Sequence, residues 1–231
     1  MLEELKKRVC QANQELARRG LVVLTWGNVS GIDRAAGCVV IKPSGVPYEE
    51  MKAKDMVVVS FETGAVVEGE LKPSSDAPTH LVLYRAFEGI GGVVHTHGLY
   101  ATAWAQARRD IPPLGTTHAD YFLGAVPCTR PMRPEEINTD YEANTGRVIV
   151  ERLAGTDPLH CPGVLVADHG PFAWGETPEE AVENACVLEH LARLAWVTHC
   201  IESYPRPISR ELLEKHFFRK HGPGRYYGQN R

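Results

Sequence analysis

The sequence predicts a single α/β domain. Short β-branched apolar runs bounded by Gly, Pro or Asp alternate with longer stretches whose apolar residues recur every three or four positions. That alternation is the pattern of strands interleaved with helices. No internal repeat, low-complexity tract or linker composition interrupts the 231 residues, a length that suits one large domain.

The elements follow in order. Leu2, Leu5, Val9, Ala12 and Leu16 have helical spacing over the first twenty residues, and Gly20 stands where a C-cap is expected. The runs 21–26 (LVVLTW), 38–42 (CVVIK), 56–61 (MVVVSF) and 65–69 (AVVEG) read as strands. Residues 76–87 read as a helix with an early Pro78, 91–97 (GGVVHTH) as a strand, and 99–110 as a helix. Later strands are expected at 147–153 (RVIVERL) and 163–170 (GVLVADHG). The longest helical pattern is 177–203, with Thr177 as N-cap and Pro178 at the first position.

Composition narrows the function classes. Hydrophobic residues at 43% and charged residues at 23% are ordinary for a globular chain. A formal net charge of −4 provides no general attraction to nucleic acid or anionic lipid, so neither is expected as a partner. Six scattered cysteines without C-x-x-C spacing, an amphipathic amino terminus without a signal-peptide core, and no apolar run of membrane-spanning length point to a reduced, cytoplasmic protein. The glycine fingerprints of dinucleotide and P-loop sites are missing, as is the G-x-S-x-G elbow of serine hydrolases.

The chemistry concentrates at HTH. Side chains two apart on a strand share a face, so His95 and His97 can aim into one space. His169, at the end of the apolar run before HGPFAWG, is the candidate third donor, since a catalytic zinc commonly takes three protein ligands. Satisfied core or surface histidines are the plain alternative. Three polar segments accompany them. TWGNVSG offers Gly27 and Asn28, IKPSG offers Lys42, Ser44 and Gly45, and KPSSD offers Ser74, Ser75 and Asp76 before a helix, where an anion is favoured. Each alone is also ordinary turn chemistry. In GTTHADYFLG, Thr116 and Asp120 are spaced to share a helical turn, Asp120 can serve as a proton acceptor, and His118 is a possible ligand or a structural hydrogen-bonder. The basic, aromatic tail (215–231) is either a frayed end or a contact between copies through Phe217 and Tyr227.

Taken in order, TWGNVSG, IKPSG, KPSSD, HTH, GTTHADYF, HGPFAWG and KHFFRKHG…YYGQ make the chain resemble the class II (zinc) aldolase and epimerase family, and within it the pentulose-phosphate 4-epimerases. The resemblance runs from the first helix to the last residues. It implies a three-layer α/β/α domain over 1–231 with a central, mostly antiparallel sheet. It implies Zn2+ (or another divalent metal) held by His95, His97 and His169, with Asp76 able to approach the metal. It implies a sugar phosphate held by Gly27, Asn28, Lys42, Ser44, Gly45, Ser74 and Ser75. Asp120 and Tyr227 match two acid/bases, with His216 and Arg219 near the tyrosine and Thr116 and Glu142 lining the pocket beside Asp120. It further implies a cyclic homotetramer in which the tail, from about 215, enters a neighbouring subunit's site.

Inverting a carbon that is not adjacent to the carbonyl cannot proceed by simple deprotonation. Without a nicotinamide site, the remaining route breaks and re-forms a carbon–carbon bond, which calls for a Lewis acid, a phosphate anchor and two proton-transfer groups. An aldolase that releases both fragments, and a non-catalytic adducin-like scaffold, are the other readings of the family.

Overall fold

The periodic apolar positions of the amino terminus form α1 (Leu2–Arg18), which buries Val9, Ala12 and Leu16 against β1 (Asn28–Asp33) and β2 (Cys38–Ile41). The computed structural model describes residues 2–222 and 225–226. Within them β3 (Val57–Ser60), β4 (Val66–Glu68), β5 (Gly92–His95), β6 (Gly163–Val166) and β7 (Gly170–Gly175) complete a seven-stranded sheet in the order β4-β3-β2-β1-β5-β7-β6. Every neighbouring pair is antiparallel.

Strand alternation divides the core into two layers. Val40, Val58, Val29, Val94 and Ala173 face α1 and the first half of α7 (Pro178–Ile201). Their neighbours Val39, Ile41, Val57, Val59, Val93, Phe172 and Trp174 face the opposite side. There α2 (Ala77–Ala86), α3 (Leu99–Gln106) and α6 (Tyr141–Arg152) cover them with Leu81, Leu83, Tyr84, Trp104 and Ile149. Each such fully buried side chain contributes roughly 1.5–3 kcal/mol. The result is the expected α/β/α sandwich on a central antiparallel sheet. No helix among the described residues is long and apolar enough to cross a membrane.

Four expectations need correction. Residues 21–26 are not a strand: the chain turns there, Leu24 takes φ 53°, and Val23, Leu24 and Trp26 are exposed, while pairing starts only at Asn28. Residues 147–153 belong to α6 instead, because Thr145, Val148 and Ile149 are buried at helical spacing against α2, and an apolar run of three cannot distinguish the two periods. The run 163–170 ends as a strand at Val166; Asp168 (φ 64°) reverses the chain into β7. The tail contains α8 (Arg210–Lys220), packed on α4 (Thr116–Ala119), and Phe217 is fully buried against His160 and His221 rather than offered to another copy. Thr177 caps α7 as expected, accepting the amide of Glu180 at 3.2 Å.

Candidate metal centre and anion pocket

Antiparallel pairing brings four chain segments to one end of the sheet. Asn28, the first residue of β1, lies opposite His95, the last of β5, and His95 lies opposite Phe172 near the start of β7. Lys42 follows β2 at the same end, since Ile41 pairs with Ser30. His97 sits two residues past the end of β5, and His169 one residue before β7. Their ligand atoms gather within 4.8 Å of one another. His95 and His97 approach Nε2 to Nε2 at 3.1 Å.

This donor set fits a divalent metal. The carbonyl of Pro171 lies 3.0 Å from His95 Nδ1 and accepts a hydrogen bond from its N–H, which leaves Nε2 with a lone pair directed at the other histidines. Two nitrogens on one zinc stand roughly 3.3 Å apart at a tetrahedral angle, close to the observed separation. Burial holds His95 well below the ordinary imidazole range, and the His169 and His97 rings push the same way. Burial also lowers His97 and His169, against an opposing pull from Asp76. Three neutral imidazoles converging on one point are donors without protons to lose, as zinc and several other divalent ions require. Phe172 stacks on His95 at 4.2 Å and 16° and meets His169 edge-on at 6.1 Å, limiting how either ring can turn.

The same cavity, about 390 Å³, is lined by Gly27, Asn28, Lys42, Ser44, Gly45, Ser74, Ser75, Asp76 and Glu142 beside the histidines. The loops after β2 and before α2 lie side by side, with Ser44 N–H donating to Lys72 O and Ser74 N–H to Lys42 O, both at 2.9 Å. Gly27 has φ 92°, and a Cβ there would fall 2.8 Å from the carbonyl of His95, so only glycine lets this loop reach the ligand strand. Asn28 Nδ2 donates to Ser74 Oγ (3.0 Å) and Asp76 Oδ2 (2.6 Å), while its buried Oδ1 has no partner among the described residues. Lys42 is 2% exposed; among the described residues its ammonium donates to its neighbour's carbonyl, Pro43 O at 3.2 Å, and lies 4.9 Å from the centre of the Tyr48 ring. Among the described residues no carboxylate pairs with it. Burial lowers its pKa to about 8.

The remaining predicted residues form a second group. Asp120 closes α4, its amide bonded to Thr116 O at 3.0 Å. Its carboxylate receives His216 Nδ1 at 3.1 Å, Arg219 at 3.0 Å and Lys220 at 3.2 Å, all from α8. Burial works to raise its pKa, but the hydrogen bonds from Arg219, His216 and Lys220 prevail and hold it below the usual carboxylate range. Thr116, Asp120, His216 and Arg219 do not line the histidine cavity of their own chain. Glu142 does, so within one chain it lies beside the histidines and apart from that chain's own Asp120. The reason is the docking of α6 on α2, where Thr79 Oγ1 donates to Glu142 O at 2.6 Å. His118 is structural, its Nε2 2.7 Å from Gly124 O. Tyr227 lies outside the described residues.

Sequence reasoning missed Trp26 and Tyr141. Trp26 meets His97 edge-on at 6.3 Å, and Tyr141 stacks near His169 with its hydroxyl 3.4 Å from Nδ1. Tyr141 stood beside the singled-out Glu142; reading 147–153 as a strand hid the helix that both residues open.

Solved structures share this architecture. An L-fuculose 1-phosphate aldolase matches 92% of this chain and 94% of its own with a TM-score of 0.78 at 26% identity. YgbL of Klebsiella pneumoniae, whose assignment as aldolase, epimerase or decarboxylase is provisional, matches 93% of this chain and 98% of its own, with a TM-score of 0.74 and 26% identity. The L-fuculose-1-phosphate aldolase of Thermus thermophilus shares the fold at 24% identity, with a TM-score of 0.66 over 88% of this chain and 98% of its own. The family model of the class II aldolase and adducin N-terminal domain matches residues 7–196, a span that takes in the three histidines, Lys42, Ser74 and Asp120. On that match, this chain belongs to the class II aldolase and adducin N-terminal domain family.

Proposed function

We propose that the protein is an L-ribulose-5-phosphate 4-epimerase, converting its substrate to D-xylulose 5-phosphate by breaking and re-forming the C3–C4 bond. The observation that carries this reading is one cavity uniting three converging imidazoles with a buried lysine that has no carboxylate partner among the described residues. A divalent metal such as zinc, held by His95, His97 and His169, would supply Lewis acidity for the negative charge that develops as the bond breaks.

The chain's own groups do the rest. Lys42 and the hydroxyls of Ser44, Ser74 and Ser75, with the loop backbone at Gly27, Asn28 and Gly45, hold the phosphate of the two-carbon aldehyde fragment so that it turns over without leaving. Asp76 stays within reach of the histidines, oriented by Asn28. Its short side chain, where aldolases that release both fragments are expected to carry glutamate, supports the epimerase. Inversion delivers the proton from opposite faces, so two groups are needed. Asp120 is one and Tyr227 the other, with Thr116, His216 and Arg219 around them. Asp120 does not line the cavity in its own chain, which supports a homotetramer whose neighbouring subunits supply these residues and the tail. Glu142 lines the substrate side of the same cavity.

The names of the similar aldolases favour a second reading, in which both fragments are released. Metal-loaded protein incubated with L-ribulose 5-phosphate separates the two when D-xylulose 5-phosphate is followed by a coupled assay alongside a trap for glycolaldehyde phosphate. Xylulose phosphate with little trapped aldehyde is the expected result. Trapped aldehyde as the main product makes the protein an aldolase, and the absence of both products overturns the proposal.

A further inference from the structure

Gly98 follows the second predicted metal ligand, and nothing in its backbone calls for glycine. Its φ of −53° and ψ of 136° are open to any residue. What a side chain there would meet is one carboxylate, which would have to shift. A Cβ on Gly98 would fall 2.5 Å from Oε2 of Glu189 and 2.8 Å from its Cδ. Glu189 comes from α7, far along the chain, and is half-buried. Its two oxygens accept the first free amides of α3: Tyr100 N–H to Oε1 at 2.8 Å and Ala101 N–H to Oε2 at 2.9 Å. Gly98 is the N-cap of that helix and has no side chain to cap it. A distant carboxylate therefore replaces the missing cap, where the helix dipole favours negative charge.

The consequence reaches the histidines. His97 sits in the two-residue link between β5, which ends at His95, and α3, whose N-cap is Gly98. β5 fixes one side of that link by its ladder to β1 and β7. The other side is anchored by Glu189. We infer that Glu189 is a positioning residue for the His95-x-His97 pair, clamping the start of α3 so that His97 is held at His95, and that position 98 is glycine to admit its carboxylate. This deepens the metal reading and rests on His97 being a ligand. Groups that fix the direction of metal ligands from behind typically change affinity by about 10–100-fold when removed.

Three variants test the clamp. Glu189→Gln keeps the volume but presents an amide donor to one of the two N–H groups. Gly98→Ala leaves Glu189 in place and displaces its carboxylate. Gly98→Ala combined with Glu189→Ala removes both the intruder and the clamp. Zinc affinity is measured by chelator competition, the cobalt-substituted visible spectrum reports ligand geometry, and amide exchange at residues 100 and 101 reports the clamp itself. The expected result is zinc affinity weakened about 10–100-fold in Glu189→Gln and Gly98→Ala, an altered cobalt spectrum, and faster exchange. The double variant should be no weaker than the singles, because both act through one contact. Faster amide exchange with zinc affinity and cobalt spectrum unchanged overturns the positioning role while leaving the metal centre standing. Losses that multiply in the double variant overturn the shared contact. A wild-type protein that binds no zinc fails the metal reading itself, and the inference falls with it. Should Glu189→Gln not fold, Gly98→Ala decides alone, since it deletes no buried group.

Discussion

At the histidine cavity two polar groups are short of partners among the described residues, whereas at the junction of α4 and α8 one carboxylate meets three donors, two of them cationic. Among the described residues, buried Lys42 has one neighbouring carbonyl to bond and the face of the Tyr48 ring at 4.9 Å, and Asn28 Oδ1 has no partner. Asp120 is bonded by His216, Arg219 and Lys220. Leaving a buried polar group unmet costs about 1–3 kcal/mol, a cost that a folded chain carries where a ligand relieves it. In the proposed function, an anion and a metal are what would meet these groups. The Asp120 cluster is satisfied within one chain, and in the proposed assembly it is carried to a neighbour already charged and oriented.

The comparison can be broken in four places. The largest effect is expected from His97→Asn, which should remove bound zinc and activity together in a folded protein; metal retained with full turnover would remove His97 from the centre. Tyr227→Phe should keep zinc and fold but lower turnover by about 10²–10⁴-fold, the usual share of a positioned acid or base. Normal turnover in that variant would leave the tail as a contact only.

Lys42→Met should raise the KM for sugar phosphate by about 10–100-fold, the worth of a charged hydrogen bond at about 1.5–3 kcal/mol, with bound zinc unchanged. Its pH dependence sharpens the same point. Lys42 loses its proton near pH 8 in the folded, ligand-free chain against a usual value of 10.5, so the folded state binds fewer protons than the unfolded one between those values. Ligand-free stability attributable to Lys42 therefore rises with pH across that window, while phosphate affinity falls as pH climbs through about 8. A phosphate affinity flat across pH 7–9, measured by calorimetry, would remove Lys42 from the anchor.

The smallest effect belongs to the satisfied cluster. Asp120 is held below its usual range, so its contribution is present above the ordinary carboxylate value and is lost as pH falls through the folded one. Arg219→Leu should lower stability by about 1 kcal/mol at neutral pH, with the difference shrinking in acid; urea titrations at several pH values measure it. A pH-independent loss would point to packing alone.

What the sequence by itself determined is the content of the site. The H-x-H spacing, His169 before HGPFAWG, Lys42 and the two serine loops are local features whose residue types limit the chemistry, and all of them meet in one cavity. The strands β2, β3, β4 and β5 and the helices α1, α2, α3 and α7 were legible from local residue pattern and bounding turns. Tertiary structure alone decided the rest. Residues 21–26 look like a strand because they are apolar, yet Val23, Leu24 and Trp26 are exposed and Trp26 lines the cavity; exposure is not a property of a run by itself. Residues 147–153 were too short an apolar run to choose a period until α2 supplied the surface to pack on. Glu142 joined the histidines rather than its own chain's Asp120 through the docking of α6. Glu189 reached Gly98 from α7 with no local signal, because a contact between residues distant along the chain is created only when the chain folds.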